Sequence, residues 1–182
     1  PPPSPVAVNA IAFEAAAARG HNLLIDFYAR WCPPCERLAA EFLDDPLRAE
    51  ALDAFVLLKV DSDAASSFAL KDRYSVGGYP TLLVVHPGGE LLDRIEGWGG
   101  DGDNLAARLE VMAGALPMGS LPEDTRAVER ARRLAATGDS EGAWALLEQA
   151  FDSVAVGLAR DREGLLLALT IAGKVRPEAV PD

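Results

Sequence analysis

The sequence predicts an α/β domain, a central mixed sheet flanked by helices, followed by a small all-α C-terminal region. Three observations predict it. A continuous apolar strand, Leu23-Leu24-Ile25-Asp26-Phe27-Tyr28, runs into Trp31-Cys32-Pro33-Pro34-Cys35 at the start of a helix. The elements then follow in the order α-β-α-β-α-β-β-α, mixing parallel crossovers with a single hairpin. Beyond a Gly-, Ser- and Pro-containing stretch the pattern becomes purely helical.

Pro1-Pro2-Pro3-Ser4-Pro5 reads as a stiff extended leader, residues 1–5. Such a leader can follow a removed signal peptide or a membrane anchor, and an artificial chain end would look the same. The first origin is favoured, which leans the protein to the bacterial periplasm or cell envelope over the cytoplasm. Asn9 is expected to cap a helix over residues 10–19 that Gly20 ends. Residues 22–28 are apolar throughout, as expected for a strand covered on both faces. A helix is expected from Pro33 to Leu43. Asp44-Asp45-Pro46 then breaks it and starts a short helix to about Leu52. Phe55 to Val60 is the next strand, and Ala64 to Tyr74 a helix. Gly77-Gly78-Tyr79-Pro80 turns into a strand over Thr81 to Val85. His86-Pro87-Gly88-Gly89-Glu90 is a hairpin turn returning through Leu91 to Ile95. Asp101 or Asp103 caps a helix to Ala113. These elements make one domain over residues 6–114.

Residues 115–122 read as a linker, and residues 123–182 as a helical region. Helices over 123–136 and 139–150 flank Gly138, and a third is expected near 160–173. Leu134 to Asp139, with Gly142-Ala143 and Leu146-Leu147, is similar to one hairpin of the tetratricopeptide type. A fainter echo near Asp161, Gly164 and Leu169 is spaced too closely for a repeat of about 34 residues, and one unit is not stable alone. A simple helical cap is therefore the expected form, with a protein partner as a further expectation for this region.

The net charge is −11, which disfavours nucleic acid and anionic lipid as partners. Residues 1–116 hold 17 of the 28 acidic side chains but only 9 of the 17 basic ones, so the acidity sits mainly in the first domain. No run of 18 or more apolar residues is present, so no membrane-spanning helix is expected.

Chemistry centres on Cys32 and Cys35, the two cysteines of the chain. A thiol attacks a disulfide only as thiolate. At a helix start, free backbone N–H groups and the helix dipole stabilise that anion. Cys32 at the N-cap is therefore the expected exposed, acidic nucleophile. Cys35, one turn in, is the resolving thiol. Cys32 attacks a disulfide, and Cys35 then attacks Cys32 and releases the reduced product. Pro33 and Pro34 lack N–H groups and no His stands between the cysteines. Fewer donors to the thiolate favour a reducing over a strongly oxidising pair. A structural zinc site needs four ligands, which only His21 and His86 could complete, so no metal is expected. Both histidines sit at turns and receive no role. Trp144 falls on the apolar face of its helix and is expected in the core. Asp26 lies mid-strand among apolar neighbours, where burial should raise its pKa.

The run Leu24 to Cys35 resembles the strand, active-site loop and helix start of the thioredoxin superfamily. Val76-Gly77-Gly78-Tyr79-Pro80-Thr81-Leu82 resembles the segment bearing that family's cis-proline. The resemblance covers residues 6–114 and implies a thioredoxin fold. Glu41 to Pro46, and Ala39-Ala40 where small thioredoxins have a mid-helix proline, are more similar to the thioredoxin-like domains of bacterial envelope thiol:disulfide interchange proteins.

The resemblance implies a thiol-disulfide oxidoreductase with Cys32 as nucleophile and Cys35 resolving. Asp26 would take the proton of the resolving thiol, and Pro80 would be cis beside the dithiol. Trp31, Pro33, Pro34, Tyr79, Gly97 and Trp98 would contact substrate. No cofactor is implied beyond the redox-active Cys32–Cys35 pair. The partners implied are protein or peptide disulfides and an upstream dithiol electron donor. A disulfide reductase is the leading reading. An envelope oxidase or isomerase, or an adaptor whose helical tail binds a partner, are the alternatives. The family often has a Lys near the buried acid, four residues before an Asp of the next strand. That position is Leu57 here, and Lys59, two residues further on the same face, is expected to be solvated.

Overall fold

A computed structural model of the chain describes residues 5–121 and 123–153. The chain divides into two compact units, Pro1–Pro117 and Met118–Asp182, and each is taken by itself.

The first unit is the expected mixed sheet between helices. Helix α1 spans Pro5–Arg19, so it begins ahead of the expected Asn9 cap and places Asn9 inside the helix. A proline is well suited to the first helical turn, where its missing N–H would have had no partner. The helix takes over at Pro5 itself, and residues 1–4 of the expected leader lie outside the described residues. Gly20, with φ +66°, closes α1, the left-handed conformation that glycine adopts without a Cβ clash.

Strand β1 (Asn22–Tyr28) is buried along nearly its whole length. It pairs in parallel with β2 (Phe55–Asp61) and antiparallel with β3 (Thr81–Val85), and β3 pairs antiparallel with β4 (Leu91–Glu96). The sheet order is β2-β1-β3-β4. The central strands β1 and β3 are the ones without an alternating polar pattern, because both of their faces are covered.

Alternation along β1 divides the core into two layers. Leu24, with Leu82 and Val84 of β3, faces α2 (Pro33–Leu38) and α5 (Gly102–Ala113), packing on Leu38, Phe42, Leu109 and Met112. Leu23, Ile25 and Phe27 face the other way, against Ala16 of α1, Leu70 of α4 (Phe68–Arg73) and Tyr74 at the end of that helix. Each fully buried Leu or Phe here contributes about 1.5–3 kcal/mol relative to exposure. At the start of β1, the Asn22 amide donates to the carbonyls of Met112, Ala113 and Ala115. It thereby satisfies carbonyl groups that the end of α5 leaves without helical partners.

Residues 33–43, expected as one α-helix, differ in their second half. α2 gives way to a π-helical turn over Ala39–Leu43, closed by the Asp44 N–H donating to the Ala39 carbonyl at 2.8 Å. A short 3₁₀ turn, Pro46–Arg48, and helix α3 (Ala49–Asp53) follow. Asp45 starts them, its carboxylate accepting from the Leu47 N–H. Asp101 is the cap of α5, its side chain accepting from the Asn104 N–H.

In the second unit, α6 (Glu123–Ala136) and α7 (Ser140–Ser153) form a helical hairpin around Gly138. Asp139, expected as the first helical residue, is instead the cap that accepts from the Gly142 N–H. Val128, Ala131, Ala143 and Leu147 form the seam, and Trp144 packs against it. The stretch read as a linker contains one 3₁₀ turn, Met118–Ser120. The third helix expected near 160–173 lies outside the described residues. Among the described residues, no helix is long and apolar enough to cross a membrane.

Candidate active site

The end of β1, the start of α2 and the β3 turn meet at the two cysteines. Cys32 is the N-cap residue of α2 and has extended backbone geometry, while Pro33 and Pro34 occupy the first helical positions. The Cys32 sulfur accepts from the Cys35 N–H at 3.3 Å. With two prolines ahead of it, Cys35 is the first residue of the helix able to donate. The two cysteines are joined as a disulfide with Cα atoms 5.3 Å apart.

Cys32 is only 4% exposed and Cys35 6%, so the cysteine expected to stand open is at least as covered as its neighbour. Ala29, Tyr28 and Tyr79 pack around the pair. The Tyr79–Pro80 peptide is cis and Pro80 is buried. Gly97 lies beyond the end of β4, and its N–H donates to the Pro80 carbonyl at 2.8 Å. Gly97 has φ +77°, which a residue with a Cβ adopts only at a cost.

Trp31 is 67% exposed. Its ring meets Tyr79 edge-on at 6.1 Å, and its indole N–H donates to Asp63 at 2.9 Å. Arg30 pairs with Asp61, so the loop after β2 is tied to the strand end that carries the cysteines. Pro33 is exposed and Pro34 half-buried. Trp98 is placed differently from the other candidates. It packs on Phe42 at 6.1 Å and donates to Glu41 at 2.6 Å, a contact with the π turn rather than with the cysteine cluster.

Asp26 is 4% exposed. Desolvation raises its pKa from 3.8 to about 6, against a lowering by the Lys59 ammonium and with a smaller rise from Asp44. Its Oδ1 is buried and has no hydrogen-bond partner among the described residues. A cavity of about 410 Å³ joins Asp26 to Cys35, lined also by Tyr28, Arg30, Glu36 and Lys59. Asp26 and Cys35 therefore border one cavity that is open on one side.

Tyr28 was not singled out by sequence reasoning, and Lys59 was given no role in the site. Tyr28 borders both the cysteine cluster and the cavity; its signal was its place as the last residue of β1. Lys59 is exposed, as expected, and lies opposite Asp26 in the parallel β1–β2 register. It lines the Asp26 cavity and pairs with Asp44 at 2.8 Å. Among the described residues, no group of three or more His, Cys, Asp or Glu side chains is placed to hold a metal ion.

The family model described as thioredoxin-like matches residues 7–87. Over 86 residues the chain is 35% identical to a protein disulfide-isomerase of Triticum aestivum, covering 47% of this chain and 17% of that protein. It is 38% identical over 78 residues to the thiol:disulfide interchange protein DsbD 2 of Pseudomonas aeruginosa, covering 42% of this chain and 13% of that one. The chain thus spans less than a fifth of the length of these two relatives. Among solved structures, the oxidised C-terminal domain of DsbD from Neisseria meningitidis matches with a TM-score of 0.51 at 26% identity, over 57% of this chain and 91% of that domain. The sheet order of the first unit and the Cys-x-x-Cys at the head of α2 accord with this match to the thioredoxin-like family model over residues 7–87.

Proposed function

We propose that the first unit is a protein disulfide reductase that cycles Cys32 and Cys35 between dithiol and disulfide. The observation that carries this reading is the cap at Cys32. Its sulfur accepts one backbone N–H, that of Cys35, because Pro33 and Pro34 have none to offer. A thiolate with few donors is a less stabilised reduced form, and a less stabilised dithiol is a stronger reductant.

In the forward cycle the Cys32 thiolate attacks one sulfur of a substrate disulfide. A Cys32–substrate bond forms, and the other substrate sulfur leaves as thiolate. The Cys35 thiol then gives its proton to Asp26. The Cys35 thiolate attacks the Cys32 sulfur, the intramolecular disulfide forms, and the second substrate sulfur leaves and takes up a proton. The chain is oxidised by two electrons and the substrate reduced by two. The electrons are carried by the cysteine pair itself, and an upstream dithiol returns it to the reduced form.

Relatives named as a protein disulfide-isomerase and a thiol:disulfide interchange protein support chemistry on protein disulfides. Trp31, Tyr79 and the Pro33–Pro34 pair supply an apolar surface beside the sulfurs for an extended segment of such a substrate. Two measurements test the reading. Insulin reduction should proceed with the wild type and be abolished by Cys32→Ser. The Cys32–Cys35 potential should lie nearer the roughly −270 mV of a thioredoxin than the roughly −180 mV of a disulfide isomerase. A potential at or above the isomerase value would replace the reductase with an oxidase or isomerase. Equal insulin turnover by Cys32→Ser would remove the dithiol from the activity altogether.

A further inference from the structure

Asp26 and Lys59 are Cα partners in adjacent parallel strands. In a parallel pair such partners project from the same face, with strands about 4.8 Å apart. That face is the one carrying Leu24 and Leu57, under α2. A buried carboxylate and an ammonium so placed would ordinarily close on one another. Here they do not. The Lys59 Nζ is 2.8 Å from the Asp44 carboxylate, and the Asp26 Oδ1 is left buried without a hydrogen-bond partner among the described residues. Asp44 reaches Lys59 because of the π turn. The Asp44 N–H bonds back to Ala39, five residues earlier. One residue more than an α-turn holds is thereby taken up, and the side chain that follows is re-aimed.

We propose that Asp44 is a positioning residue: it holds the Lys59 ammonium at the outer side of the cavity and so keeps the Asp26 carboxylate free to accept the Cys35 proton. The inference rests on the reductase cycle above. Were Lys59 closed on Asp26, the ion pair would hold the carboxylate ionised and make it a poor acceptor. With Lys59 drawn to Asp44, Asp26 feels the ammonium only across the cavity. In the step itself the Cys35 S–H bond breaks and its proton goes to an Asp26 oxygen. The sulfur's electron pair makes the bond to Cys32, and the substrate sulfur leaves with the pair of the broken mixed disulfide.

Several other groups face Asp26. Tyr28 and Arg30 come from the end of β1, and Cys35 and Glu36 from α2, all on the same cavity. From β3 comes Leu82, the Asp26 register partner, and Leu109 of α5 packs in the same apolar layer. Arg30 is itself paired with Asp61. Lys59 is the cation in register with Asp26, and its partner Asp44 can be removed by substitution without touching the cysteines. Asp44 is 61% exposed and Lys59 38%, and a half-exposed ion pair adds little to stability, so Asp44→Asn should fold as the wild type does.

The test is a double-mutant cycle on the full oxidised chain, reading the Asp26 carboxyl carbon by NMR as pH is varied. Asp44→Asn should lower the Asp26 midpoint by about one pH unit, the effect of an opposite charge brought within about 4–6 Å. Lys59→Met should raise it, Asp44→Glu should restore the wild-type value, and Asp44→Asn on a Lys59→Met background should move it by less than about a third of that amount. In single-turnover release of a mixed disulfide, the acid limb of the pH–rate profile should follow the NMR midpoint in each variant. Equal NMR shifts with and without Lys59 would overturn the proposal, since Asp44 would then act by its own charge alone. So would no shift on the wild-type background, or a rate profile that ignores the midpoint. A wild type without disulfide turnover would instead count against the reductase reading, and the NMR arm needs no substrate to decide the placement of Lys59.

Discussion

Replacing Asp26 with Asn should make the protein more stable at high pH and leave it nearly unchanged at low pH. The sign follows from linkage. Burial raises the Asp26 pKa from its ordinary 3.8 to about 6 in the folded chain. The folded state therefore holds this proton more tightly than the unfolded state does. The benefit of a neutral, buried carboxyl is fully present below about pH 3.8. It is lost as pH rises to about 6, above which the folded state must carry a buried charge. The span from 3.8 to about 6, at about 1.36 kcal/mol per pKa unit, comes to about 3 kcal/mol. About 0.5 kcal/mol of that is already felt at pH 4, so the advantage of Asp26→Asn over wild type should grow by about 2.5 kcal/mol between pH 4 and pH 8. Using the growth with pH removes whatever constant cost the Asn amide brings. The assay is urea unfolding of the oxidised proteins at a series of pH values, followed by near-ultraviolet circular dichroism. Parallel pH dependences for the two proteins, or an advantage that widens as pH falls, would refute a buried, proton-holding Asp26.

Two substitutions test the packing that positions the site. Asn22→Ala removes the amide that donates to the Met112, Ala113 and Ala115 carbonyls and should cost about 1–3 kcal/mol in urea unfolding, since it leaves buried carbonyls unpaired; a change below about 0.5 kcal/mol would show that water replaces it. Leu147→Ala, at a fully buried position in the seam of the second unit, should cost about 2–5 kcal/mol and lower the helical circular dichroism of that unit first, and an unchanged melting curve would mean that α6 and α7 do not form a packed core.

Much of the site was legible because its signals are local. The strand over Asn22–Tyr28 was an uninterrupted apolar run, and the Pro-Pro pair marked the helix start that the structure places at Pro33. Burial of Asp26 followed from its neighbours in the same strand. What the sequence hid is either non-local or lacks a residue signature. The position of Lys59 depends on the register between β1 and β2. That register is fixed by pairing across an intervening helix, and counting back from Asp61 reaches Leu57 instead. The π turn over Ala39–Leu43 is one extra residue in a backbone hydrogen bond, and Ala39-Ala40 suits an α-helix equally well. The start of α1 moved to Pro5 because a Pro-rich leader and a Pro-initiated helix share the same residue. Trp98 sits near Gly97 in sequence, yet Phe42 and Glu41 draw its ring to the π turn, a tertiary choice that a linear reading does not contain.

The division of labour between the two sulfurs is tested most directly by trapping. Reduced Cys35→Ser and Cys32→Ser proteins are each mixed with a disulfide-bonded peptide, quenched in acid and digested for mass spectrometry. Cys35→Ser should accumulate the peptide covalently on Cys32, and Cys32→Ser should accumulate little or none on Cys35. Equal trapping on either cysteine, or trapping chiefly on Cys35, would contradict an account in which the helix-capping sulfur attacks and the inner one, beside Asp26, resolves.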